Sequence, residues 1–188
     1  LPIGDPNRSA GSETLTITVR PVSDAPGLIT KNTISTNEDT TVALGSQARA
    51  AQNLTGGLSA PTITDNTDLD TSSTSNDTPE RIGLVSLTGF RAGTVLDYGG
   101  TNPITITSNS QTVRIKLSDV DTVNNPPGQD SSTITMTKAQ FESMKLTPPK
   151  DDATNMSIKM AVTEYEVNSG GTILTGVAGK SASTTVIV

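Results

Sequence analysis

The chain has no His and no Cys. Imidazole bases, thiolate nucleophiles, the usual zinc and haem ligands, iron–sulfur clusters and disulfides are therefore all excluded. The chemistry left to it is mainly that of carboxylates. Five of its 19 acidic residues fall within residues 65–80: Asp65, Asp68, Asp70, Asp77 and Glu80. Asn66 and Asn76 add amide oxygens there, and Leu69 is almost the only apolar side chain. Such a loop gains little from burial and repels itself unless a cation orders it. Calcium, which takes six to eight oxygens from carboxylates, carbonyls and amides, suits it. Asp119 and Asp121, followed by Asn124, Asn125 and Asp130, form a second acidic set. Asp24 with Glu38 and Asp39 forms a third. Asp151 and Asp152 with Glu164 and Glu166 form a fourth, in which the two glutamates share one strand face because side chains two apart point the same way. Each set also has a plainer reading, the solvated surface of an acidic protein. None spells an EF-hand: the run from Asp68 lacks the Gly at loop position six and the Glu at twelve.

Other chemistries fit less well. Glycoside hydrolysis needs two carboxyls about 5–10 Å apart across a sugar cleft, and such clefts usually carry aromatic platforms. The aromatics here are Phe90, Phe141, Tyr98 and Tyr165. No spacing singles out a Ser–Lys dyad. The chain therefore reads as a non-enzyme. A net charge of −6 and a pI near 4.5 argue against nucleic acid as a partner. No apolar run approaches the roughly 18 residues of a membrane helix, so no membrane insertion is expected. Thr-Ile-Thr recurs at 16–18, 62–64, 105–107 and 133–135, but the uneven steps describe the solvent face of ordinary strands, not a solenoid.

Strands must carry these groups. Thr (32) and Ser (20) exceed a quarter of the chain, and β-branched Thr favours extended backbone. Apolar and polar residues alternate at Leu15–Val19, Ile104/Ile106, Val113–Leu117, Thr133–Met136, Ile158–Val162 and Thr184–Val188. Roughly ten short strands with Gly-, Asn- and Pro-rich turns predict an all-β sandwich. Between Ile82 and Leu87 the alternation shifts phase by one residue, which predicts a bulge. Thr137 followed three residues later by Gln140 has the capping-box form. It predicts a short helical turn near 137–144, with Phe141, Met144 and Leu146 packing inward before Pro148 and Pro149.

The two ends of the chain are alike: residues 11–19 read GSETLTITV and 179–188 read GKSASTTVIV. This suggests one period of a tandem array. After the first of these strands comes Pro21-Val22-Ser23-Asp24-Ala25-Pro26, and Glu38-Asp39-Thr40 lies a dozen residues on. With Phe141–Asp152, these motifs resemble the immunoglobulin-like and cadherin-like modules of giant bacterial RTX, or biofilm-associated, surface adhesins. The glycine-rich nonapeptide calcium roll of that family is absent.

The resemblance implies an immunoglobulin-like β-sandwich, with residues 1–26 as an N-terminal strand and linker and 27–188 as the module. It implies an extracellular, secreted protein of the bacterial cell surface, monomeric, whose partners are neighbouring modules of the same chain. A length above the roughly 100 residues of a plain immunoglobulin-like module suggests a specialised one, of the split kind that flanks a lectin-like insert. Calcium would stiffen the junctions and so project or support ligand-binding domains in cell adhesion and biofilm formation. The metal ligands expected are Asp24, Glu38, Asp39, Asp68, Asp70, Asp77, Glu80, Asp119 and Asp121. The alternative is a module that itself binds carbohydrate or peptide.

Overall fold

A computed structural model describes residues 23–28, 32–63 and 79–188. Seven strands form one sheet: β1 (Asn32–Thr33), β3 (Glu80–Ile82), β4 (Val85–Thr88), β7 (Val113–Leu117), β8 (Ile134–Met136), β10 (Ser157–Glu166) and β11 (Lys180–Ile187). The spatial order is β1-β11-β10-β4-β7-β8, and β3 lies against β10 beyond β4. The outer pairs β1–β11 and β7–β8 are parallel, and the inner ones antiparallel. The second sheet, wholly antiparallel, runs β2 (Val42–Ala43), β9 (Lys145–Thr147), β5 (Val95–Asp97) and β6 (Ile104–Thr105). The expected all-β sandwich is what forms. The first strand expected, Leu15–Val19, lies outside the described residues.

Alternation explains the packing. In β7, Val113, Ile115 and Leu117 are buried while Arg114 and Lys116 face out. In β10, Ile158, Met160 and Val162 are buried on the same side. Against them the second sheet sets Leu96, Ile106 and Leu146. With so few aromatics the core is aliphatic, and each such side chain contributes about 1.5–3 kcal/mol on burial.

The phase shift between Ile82 and Leu87 is a true bulge. Ile82 pairs with Glu164 and Ser86 with Ala161 on the same neighbouring strand. Residues 83–85 therefore face only residues 162–163. Gly83 N–H donates to the Thr163 carbonyl at 2.8 Å. One extra residue lets Ile82, Leu84 and Val85 all turn inward.

The helical turn is α2 (Lys138–Glu142). Both halves of the capping box are made: Gln140 N–H donates to Thr137 Oγ1 at 3.1 Å and Thr137 N–H to Gln140 Oε1 at 2.8 Å. Phe141, Met144 and Leu146 are fully buried. A second short helix, α1 (Ser46–Ala50), packs beside it. Its approach is close because Gly45 has no side chain: a Cβ there would lie 2.1 Å from the Glu142 carbonyl oxygen.

A buried carboxylate group at one end of the sandwich

The inward face of β10 changes character along its length. Ile158, Met160 and Val162 give way, in the same phase, to Glu164 and Glu166. Glu164 is 0% exposed and Glu166 2%. Across the ladder Glu166 stands opposite Glu80, which is 1% exposed, and Glu164 opposite Ile82. Three glutamates thus occupy core positions at one end of the sandwich.

The segment before the first described strand closes this end. Asp24 N–H donates to Glu80 Oε1 at 2.6 Å. Glu166 N–H donates to Ser23 Oγ at 3.2 Å, and Ser23 is buried. Val167 N–H donates to the Pro79 carbonyl at 3.0 Å. Asp24 itself is exposed.

Glu164 is the anomaly. Both its carboxyl oxygens are buried without a donor. The Glu80 carboxyl is within hydrogen-bonding reach, but two ionised carboxylates can only accept. A buried, unsatisfied charge costs several kcal/mol. Burial first, then the negative charges of Glu80, Asp24 and Glu166, push the Glu164 carboxyl up to about 8. As it stands the site holds a proton on Glu164 through most of the neutral range.

The other expected ligands are dispersed. Asp24 and Glu80 join this group, but Glu38 and Asp39 lie at the opposite end of β10. Glu38 there lines a cavity of about 340 Å³ with Asp152, Met156 and Val188. A ten-residue strand spans about 30 Å, so Asp24, Glu38 and Asp39 do not form one site. Asp119 serves α2, accepting from Lys138 N–H at 2.5 Å. Asp121 is exposed and contributes its backbone, accepting from Ile82 N–H at 2.9 Å. Asp68, Asp70 and Asp77 lie outside the described residues.

The fourth acidic set is likewise split. Asp152, beside Glu38, is held below the usual carboxylate range by hydrogen bonds from Thr154 and Arg91, the latter also an ion pair. Asp130 is lowered chiefly by Ser132, with Arg114 assisting. Glu164 and Glu166 do share one face. The signal for their burial was in the sequence: they continue the phase of Ile158, Met160 and Val162.

Among the described residues, no three acidic side chains are arranged to hold a metal ion as they stand. The donor set is nonetheless all oxygen, and both Glu164 oxygens lack a donor. Both features suit a hard cation. The sequence matches no protein-family model, and neither a curated protein nor a solved structure matches it.

Proposed function

We propose that this chain is a calcium-binding structural module of a large bacterial surface adhesin, an immunoglobulin-like or cadherin-like sandwich that supports ligand-binding domains in adhesion. The observation that carries the calcium reading is Glu164: buried, without a donor on either oxygen, and surrounded by the charges of Glu80, Glu166 and Asp24. The surface-adhesin setting rests on the sequence resemblance.

Glu164 and Glu80 would hold the ion, with Asp24 and Glu166 the nearest further carboxylates. When bound, the ion would supply positive charge beside the Glu164 oxygens, which have no donor. The residues then act as a clasp. Asp24 N–H stays on Glu80, Ser23 stays on Glu166 N–H, and the segment 23–26 is fixed to the sandwich. With the carboxylates ionised and uncompensated, the same residues repel and the segment loosens. An ion that binds only the folded state stabilises it by mass action.

Thermal unfolding in EDTA, in calcium and in magnesium tests this reading. A rise in melting temperature specific to calcium is expected, and it is expected to vanish in Glu164→Gln. Identical curves in all three conditions would overturn it.

A further inference from the structure

The outer face of the seven-stranded sheet has the opposite character to the rest of this acidic molecule. Outward positions follow from register and alternation, and none carries Asp or Glu. Most are Ser or Thr. Four are basic: Lys159 on β10, Arg114 and Lys116 on β7, and Arg81 on β3.

These four follow one another at successive steps along the strand direction. Arg114 shares a row with Ser86 and Ala161. Lys159 stands two residues from Ala161 along β10, and Lys116 two residues from Arg114 the other way. Arg81 lies beyond, opposite Tyr165. Each step of two residues is about 7 Å along the strands, so one cation falls at each step along the sheet: on β10, twice on β7, and on β3, which lies in line with β4 between them.

The charges remain available. Lys159 is exposed and, among the described residues, forms neither ion pair nor side-chain hydrogen bond. Lys116 donates to the Asn124 carbonyl at 2.8 Å and Arg81 to the Thr122 carbonyl at 3.5 Å, and neither has an ion pair among the described residues. Among the described residues only Arg114 of the four meets an acid, Asp130 at 3.5 Å from an adjoining loop. On a chain of net charge −6, cations gathered on one face without acids at its outward positions form a surface complementary to an anionic polymer.

We infer that this sheet face binds an extended acidic polysaccharide, its carboxylates on the cation track and its hydroxyls on the Ser and Thr rows. Stacking of neutral sugars or of unpaired bases needs aromatic platforms, and Tyr165 is the face's lone aromatic ring. The face is independent of the carboxylate group, which lies on the inner side of the same sheet.

The test is binding of the whole chain to hyaluronate at low salt, with dextran and duplex DNA as comparison polymers and calcium held constant. Binding to hyaluronate, absent for dextran and weaker for DNA, is expected. The triple variant Lys116→Gln, Lys159→Gln, Arg81→Gln is expected to lose about tenfold in affinity, the sum of three exposed charge contacts. A second variant, Lys138→Gln, Lys145→Gln, Lys150→Gln, makes the same change in net charge off this face and should bind as the parent does. Equal loss in both variants, no binding by the parent, or equal binding of DNA would overturn the inference. Melting temperatures of both variants establish that each is folded.

Discussion

Glu164 stands directly opposite Lys180 in the β10–β11 register, yet the two form no ion pair. Lys180 is exposed, whereas Glu164 is fully buried and has no donor on either oxygen. A long flexible ammonium gains more from hydration than from entering this end of the core, where the cost of desolvating the pair offsets its attraction. The lysine therefore does not neutralise the group. Lys180→Gln is expected to change stability by less than about 0.5 kcal/mol in EDTA at neutral pH, as for an unremarkable surface site. Glu164→Gln under the same conditions should stabilise by about 1–3 kcal/mol, since the neutral amide spares the folded state the proton uptake that burying Glu164 requires. Urea unfolding of the two variants checks both values.

The raised Glu164 carboxyl sets a pH dependence with a definite sign. Its pKa is about 8 in the folded protein against 4.5 for an unperturbed glutamate, so between these values the folded state holds the proton and the unfolded state does not. Stability from this group is fully present below about pH 4.5 and is lost as pH rises through about 8. The slope is at most about 1.4 kcal/mol per pH unit. Urea midpoints in EDTA should therefore fall from pH 5 to pH 8.5 in the parent. In Glu164→Gln that fall should be largely gone.

The contact of segment 23–26 with the sandwich responds differently to charge and to packing. Asp24 touches Glu80 through its backbone N–H, so Asp24→Asn keeps that bond and removes only a charge near Glu164. In EDTA the variant should be as stable as the parent or slightly more so. In calcium it should show a weaker stabilisation. Ser23→Ala removes the acceptor for Glu166 N–H and should cost about 1–2 kcal/mol in either condition, because it strands a buried donor. Thermal melts with and without calcium separate the two effects.

Helix α2 tests the core at its other side. Phe141 is fully buried, and Phe141→Ala should cost about 3–5 kcal/mol through lost contacts and a cavity. Thr137→Ala removes the cap on Gln140 N–H and should cost about 1 kcal/mol. Chemical denaturation measures both.

Much of the scaffold was legible in residue order. Alternation in Val113–Leu117 and Ile158–Val162 placed two central strands, the crowding of Ile82, Leu84 and Val85 placed the bulge, and Thr137 with Gln140 placed α2. The candidate site was legible only in part. Local density of acids drew attention to Asp119 and Asp121, whose roles here are a hydrogen bond to α2 and a backbone contact. The group that assembles instead joins residues 80, 164 and 166, brought together by pairing across the sheet, with residue 24 attached through its backbone N–H on Glu80. Sequence proximity carries no information about such pairing. The phase of Glu164 and Glu166 within β10 does, since both fall where the preceding apolar residues point inward.

A calorimetric calcium titration of the parent chain beside Glu164→Gln, at neutral pH and with magnesium as the competing ion, tests the central claim most directly. Saturable calcium binding by the parent is expected, with release of the proton held by Glu164, and a loss of at least about tenfold in affinity in the variant. Equal calcium binding by the two proteins, or none by the parent, would contradict it.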